Sequence, residues 1–200
     1  MKLFTHTLVP LVFLTLAFSG CSYEQKPQQT RSDNDFVMSS GEATEHRDSI
    51  VLGLGCFWGA EKRFAALPGV IDVISGYADG RGLAPTYSEI TKMKHRFNSD
   101  NFAEVIEVSF DPNRVSLTRL FQHFFEIHDP TQGNRQGNDI GTQYRSTILF
   151  NDQTQQQTAL KVQAQFQQLL NEAGLGQIQT QIKPLDEFHP AETYHQDYLI

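Results

Sequence analysis

Ile50-Val51-Leu52-Gly53-Leu54-Gly55-Cys56-Phe57-Trp58-Gly59 is the stretch from which the rest of the chain can be read. Its first five residues are an apolar run of the length of a short buried strand. After it, Phe57, Ala60, Phe64 and Leu67 recur at the three- and four-residue spacings of one helical face. A strand running directly into a helix puts Cys56 at the junction, in the first turn of that helix. Unpaired backbone N–H groups and the positive end of the helix dipole converge there, which predicts a thiolate rather than a thiol. Phe57 and Trp58 add two large rings beside the sulfur, a wall suited to a small apolar group. A cysteine among aromatics is commonly an inert core residue. Here the sequence holds only two cysteines, and the other, Cys21, lies in what reads as a targeting signal. Cys56 is therefore the one thiol of the folded part, and in an oxidising compartment a solitary thiol needs a task.

Towards the N-terminus, Lys2 precedes an apolar run from Leu8 to Phe18 that only Pro10 and Thr15 interrupt, and Ser19-Gly20-Cys21 follows. A basic start, an apolar segment too short to span a bilayer stably and small residues before a cleavage point predict a secretory signal over residues 1–20. A cysteine directly after the small residues resembles a bacterial lipoprotein signal, with Cys21 lipidated as the mature N-terminus. Phe18 stands where that signal usually carries an aliphatic residue, and an ordinary signal peptide cut nearby is the alternative. The lipoprotein reading implies a lipid-anchored protein of the bacterial cell envelope, facing the periplasm. Residues 21–48 are rich in Ser, Gln, Asn, Thr and Glu and nearly free of large apolar groups, so they read as a disordered tether. The folded domain is expected over residues 49–200. The net charge of −7 and the lack of a basic patch give no support for nucleic-acid binding. That acidic surface, with no spare apolar helix, leans towards a monomer.

Towards the C-terminus, strand and helix signals alternate. Pro68-Gly69 stops the first helix. Val70 to Tyr77 reads as a strand, and a long loop carries Pro85-Thr86-Tyr87 and runs on to Asn101. Ala103 to Phe110 reads as a strand closed by Asp111-Pro112. Ser116 is placed to cap a helix whose apolar face is Leu117, Leu120, Phe121, Phe124 and Phe125. His128 to Gln143 is a second long loop, Tyr144 to Phe150 a strand, Gln153 to Ala173 a helix stopped by Gly174, and Gln177 to Leu185 a strand. Along the last helix, Ala159, Val162, Phe166 and Leu169 are its apolar stripe. Interleaved strands and helices predict a two-layer α/β or α+β sandwich, with function in the long loops.

The loop from His128 to Ser146 is dense in polar side chains. Asp129, Asn134 and Asn138 are also explained by a loop that bonds to itself. Glu104 sits between Ala103 and Val105 on an apolar strand, where alternation by itself favours a solvent-facing carboxylate. Three rival chemistries have weaker support. The glycines around Cys56 have the wrong spacing for a dinucleotide-binding turn. A cysteine peptidase built from Cys56, His128 or His195 and Asn138 has residue types but no local signature. His189, Glu192 and His195 are spaced by three, as metal ligands on a helix would be, but Pro190 argues for a packed terminal segment. No metal site is expected. A non-catalytic lipoprotein is the bland alternative.

Gly55–Gly59, Gly76-Tyr77, Pro85-Thr86-Tyr87, Ala103-Glu104, His128–Thr131, the run from Asn134 to Ser146 and the closing Ala191–Leu199 together resemble the A-type family of peptide methionine-S-sulfoxide reductases. The blocks run in unbroken order from about Ile50 to Leu199. The resemblance implies an α+β fold with a mixed sheet and a ferredoxin-like core. It implies that Cys56 attacks the sulfoxide sulfur and becomes a sulfenic acid, in proteins and in free methionine sulfoxide, in the service of oxidative-damage repair. Glu104 matches the acid that protonates the sulfoxide oxygen, a role that requires a raised pKa and reverses the solvent-facing reading. Tyr87 and Tyr144 match the phenols that hold the same oxygen, Asp139 the residue that positions water near the thiol, and Phe57 and Trp58 the methyl-binding wall.

Two departures from the family pattern stand out. Asn101 and Phe102 occupy positions where members often carry Gly-His, which is expected to change the pocket rim. Many members also have further cysteines in a glycine-rich tail, and no cysteine follows Cys56 here. A tether of about 35 residues reaches roughly 30–35 Å, so distance would allow Cys21 to substitute; a lipidated Cys21 would have no free thiol. The expected enzyme is a one-cysteine form with no bound cofactor, recycled by an external thiol, either a small thiol or a thioredoxin-like protein.

Overall fold

The computed structural model describes residues 47–200. The signal over 1–20, Cys21 and the tether up to His46 lie outside the described residues. The described chain is built on a six-stranded sheet. Strand β1 (Asp48–Leu54) pairs antiparallel with β3 (Ala103–Phe110) on one side and β6 (Ser146–Phe150) on the other. Strand β2 (Val70–Ala78) pairs antiparallel with β3, and β7 (Gln181–Pro184) pairs parallel with β6. The short β8 (His189–Pro190) closes the β2 edge, giving the order β7-β6-β1-β3-β2-β8. One parallel pair among antiparallel ones makes the sheet mixed, and with its helices the fold is α+β.

Helices α1 (Phe57–Ala65), α3 (Leu117–Glu126) and α4 (Gln153–Glu172) cover one face of the sheet. On that side Ile50, Leu52, Ile106, Val108 and Ile148 meet Phe57, Phe64, Leu120, Phe121, Phe124, Ala159 and Val162. Each fully buried phenylalanine of this layer contributes roughly 1.5–3 kcal/mol relative to an exposed one. The opposite face carries a thinner apolar layer of Val51, Ala78, Ala103, Val105 and Leu149 under Leu185 and Phe188. Because both faces are covered, β3 is buried along nearly its whole length, and Glu104 has no solvent-facing option.

The capping chemistry behaves as its residue types dictate. Ser116 Oγ accepts from the N–H of Arg119 at 3.2 Å and Asp152 Oδ1 from that of Gln155 at 2.8 Å. Several segments depart from the sequence reading. The loop after β2 contains a single helical turn, α2 (Tyr87–Ile90), capped by Thr86, too short to leave a periodic signal. Tyr144 ends a 3-10 turn (Thr142–Tyr144) rather than opening β6. The second long loop holds a two-residue hairpin, β4 (Arg135–Gln136) with β5 (Asp139–Ile140). Strand β7 is shorter than expected because the N–H groups of Ile178 and Gln179 bond instead to Gln167 and to the Pro130 carbonyl. Leu169 is largely exposed, so the stripe of α4 ends with the half-buried Phe166.

Candidate active site

Cys56 occupies the N-cap position of α1, one residue ahead of its first turn. The chain reaches it through Gly55, whose φ of 101° is open to glycine and strained for other residues, and whose missing side chain leaves room for Gln136. The helix start does point backbone N–H groups, those of Trp58 and Gly59, at the sulfur. The expected thiolate is nevertheless corrected. Burial, then the charge of Glu104, push the Cys56 thiol up to about 12, and the helix-end N–H groups do not offset them. The resting group is a thiol.

Glu104 lies on the helix-facing side of β3, opposite Tyr77 in the β2–β3 ladder. It is 1% exposed. Its Oε2 accepts the N–H of Phe57 at 3.1 Å, which ties it to the residue next to the cysteine, while Oε1 is buried without a partner. Burial raises its pKa to about 8, so the carboxyl is protonated at neutral pH and has a proton to give. That protonation also lifts most of the electrostatic burden on Cys56, since a neutral Glu104 no longer opposes a negative sulfur.

The structure brings the other sequence-predicted residues to the same place. Tyr87, from α2, and Tyr144, from the 3-10 turn, are each pushed up by burial and then by the Glu104 charge, and both also feel Cys56 and Asp139. Tyr87 reaches about 12, so both phenols are hydrogen-bond donors at neutral pH. Asp139, on β5, is exposed and acts on Glu104 and Cys56 through its charge. The Phe57 ring is fully buried against Tyr77, Tyr87 and His195, and Trp58 is half-buried beside it. The arrangement is a protonated carboxyl and two phenols around a thiol, with an aromatic wall to one side.

The structure adds residues from the terminal segment. The Trp58 indole Nε1–H donates to Nδ1 of His195 at 3.1 Å, and Tyr198 stacks on the indole with ring centres 3.9 Å apart. Glu192 accepts the Tyr87 backbone N–H at 3.0 Å and the Tyr77 hydroxyl at 2.7 Å. The three residues do not share one helix face as their spacing suggested: His189 sits in β8, while Glu192 caps the 3-10 turn Thr193–His195 and is bonded to Tyr77 and Tyr87. His128 is likewise engaged away from Cys56, with the Phe124 carbonyl at 2.7 Å and Ser146 Oγ at 2.8 Å. The only legible sign of these roles was the density of polar and aromatic residues in Ala191–Leu199. Asn101 and Phe102 are both buried, Asn101 bonded to the Ile90 carbonyl and to Thr142, and Phe102 against Gly80 and His189.

Residues 48–200 match the family model described as peptide methionine sulfoxide reductase. The peptide methionine sulfoxide reductase MsrA 1 of Synechocystis sp. is 48% identical over 152 residues, 76% of this chain and 66% of the relative. The chain thus spans slightly less than two thirds of that relative's length. Among solved structures, methionine sulfoxide reductase A of Corynebacterium diphtheriae has a TM-score of 0.71 and 41% identity, over 78% of this chain and 76% of its own. Reduced Mxr1 from Saccharomyces cerevisiae has a TM-score of 0.69 and 32% identity, over 80% and 87%. Mxr1 has also been crystallised in complex with Trx2.

Proposed function

Because this chain belongs to the peptide methionine sulfoxide reductase family, we propose that it reduces methionine-S-sulfoxide to methionine through a sulfenic acid on Cys56. Its substrates are methionine sulfoxide in proteins damaged by oxidation and free methionine sulfoxide. The observation that carries this reading is the pairing of a protonated, buried Glu104 with the residue next to Cys56.

In the proposed reaction Glu104, Tyr87 and Tyr144 hold the sulfoxide oxygen, and Phe57 and Trp58 take the methyl group. This leaves the sulfoxide sulfur open to Cys56. Binding of the polarised sulfoxide sets a partly positive sulfur beside the cysteine, which favours loss of the thiol proton at that moment. The Cys56 sulfur attacks, the oxygen is transferred to it as Glu104 supplies a proton, and methionine leaves. The lost thiol proton restores Glu104, so the balance is thiol plus sulfoxide giving sulfenic acid plus thioether. Cysteine sulfur is oxidised by two electrons and methionine sulfur reduced by two. Asp139 orders water at the mouth of the site.

Recycling uses an external thiol. That thiol attacks the sulfenic acid to give a mixed disulfide and water, and a second thiol releases Cys56. The complex known for the yeast relative supports a thioredoxin-like donor. No second cysteine lies in the described residues. Ser19-Gly20-Cys21 supports a lipid-anchored, periplasm-facing form, which mass spectrometry of the mature N-terminus would test. Purified protein with dithiothreitol should reduce the pure S epimer of a peptide sulfoxide, leave the R epimer, and lose the activity in Cys56→Ser. Equal turnover of the two epimers, or an active Cys56→Ser protein, overturns the reading.

A further inference from the structure

Glu61 lies one helical turn beyond Phe57 on α1 and is 1% exposed, yet the chemistry above does not use it. Both carboxylate oxygens are buried and make no hydrogen bond of full geometry. The groups nearest them are the backbone N–H of Asp197, the hydroxyl of Ser75 on β2 and the backbone N–H of Tyr198, with the Asp197 carboxylate close enough to oppose the Glu61 charge. A buried carboxylate set against donors from β2 and from the terminal segment ties the segment to the helix and the sheet. The same segment is fastened on either side. The Gln196 amide pairs with the Ser75 backbone, accepting its N–H and donating to its carbonyl at 2.9 Å each, and Lys62 Nζ donates to the Leu199 carbonyl at 2.9 Å. Asp197 holds a φ of 54°, a left-handed conformation that aspartate tolerates better than most residues. Immediately after it, Tyr198 stacks on Trp58 with the planes 13° apart.

We propose that Glu61 is a positioning residue for the substrate site: it fixes the backbone of Asp197 and Tyr198, and so holds Tyr198 against the outer face of the Trp58 ring. This rests on the reading of Phe57 and Trp58 as the wall that takes the methyl group. Glu61 touches neither substrate nor the reacting atoms, so its loss acts on binding more than on the chemical step.

Trp58 is the only tryptophan of the chain, so its emission reports this contact without labelling. In the full chain, Glu61→Gln puts an amide NH2 among donors, and the anchor loosens at nearly constant volume. The expected result is red-shifted Trp58 emission with unchanged far-ultraviolet dichroism, and a KM raised about 3- to 10-fold with kcat little altered, the pattern of lost uniform binding. Tyr198→Leu should give the same two changes, and the double variant should add little to either. Should Glu61→Gln not fold, Glu61→Asp, which keeps the charge but shortens the reach, takes its place in the cycle with the same expected changes. Wild-type emission and KM in the Glu61 variant, or effects of Glu61 and Tyr198 that simply add, would overturn the proposal. Emission requires no turnover, so a protein without reductase activity would refute the functional reading while still deciding the role of Glu61.

Discussion

The backbone N–H of Phe57 donates to Oε2 of Glu104 at 3.1 Å, joining residues 47 positions apart in the chain. The bond fixes the acid relative to the nucleophile, because Phe57 is the first residue of α1 and Cys56 its cap. It also explains why neither residue can be understood alone. Glu104 in its charged form raises the Cys56 pKa, and burial keeps Glu104 protonated up to about 8.

A pH profile follows from this pair. The free enzyme needs Glu104 protonated, so kcat/KM for sulfoxide reduction should fall as pH rises through about 8. Glu104→Gln should lower the rate roughly 10²- to 10⁴-fold and abolish that limb. Single-turnover kinetics across pH 6–10 (roughly the range in which buried acids titrate) check this. A profile in wild type that matches the Gln variant would remove Glu104 as the acid.

Glu192 sets Tyr87 through its backbone, and removing it should be felt in the oxygen-binding side of the site. Glu192→Ala leaves the Tyr87 N–H and the buried Tyr77 hydroxyl unpaired. Hydrogen bonds to charged groups are worth about 1.5–3 kcal/mol, so kcat/KM should drop roughly 10- to 100-fold. Glu192→Gln, whose amide oxygen still accepts one bond, should recover part of the loss. An alanine variant with wild-type kcat/KM contradicts the assignment.

Two buried groups give the fold opposite responses to pH. The pKa of His128 is lowered to about 4 by burial, so the folded state resists protonation and stability is lost as pH falls from about 6.5 towards 4. The pKa of Glu104 is raised to about 8, so its contribution is fully present below about 4.5 and is lost as pH rises through 8. Over pH 4.5–6.5 the two oppose each other in the wild type. Glu104→Gln removes one of them, and its urea midpoint should fall more steeply with acid than the wild-type midpoint does. Parallel curves would show that Glu104 is not buried in its neutral form.

Much of this architecture was legible because it rests on local periods and stops. Strand β3 and helix α3 follow from alternation, Asp111-Pro112 and the Ser116 cap, and the β1–α1 junction from a five-residue apolar run meeting a helical face. The candidate site residues were legible through resemblance more than through pattern: strand alternation alone would have turned Glu104 to solvent. What could not be read was whatever depends on distant chain. The state of Cys56 is not readable from local sequence because helix-end N–H groups are local, whereas the burial that outweighs them is made by distant parts of the chain. The one-turn helix bearing Tyr87 is too short for periodicity. The roles of Glu61, Glu192 and His195 exist only because the terminal segment crosses back over α1 and α2.

The central claim is that Cys56 takes the oxygen itself, and the most direct measurement is mass spectrometry of the protein after methionine-S-sulfoxide without reductant, in the presence of a sulfenic-acid trap. The account predicts a burst of about one methionine per enzyme, the stoichiometry of a covalent intermediate, and one trapped adduct, on Cys56. Methionine formed with no modification of Cys56, or a burst that persists in Cys56→Ser, would contradict it.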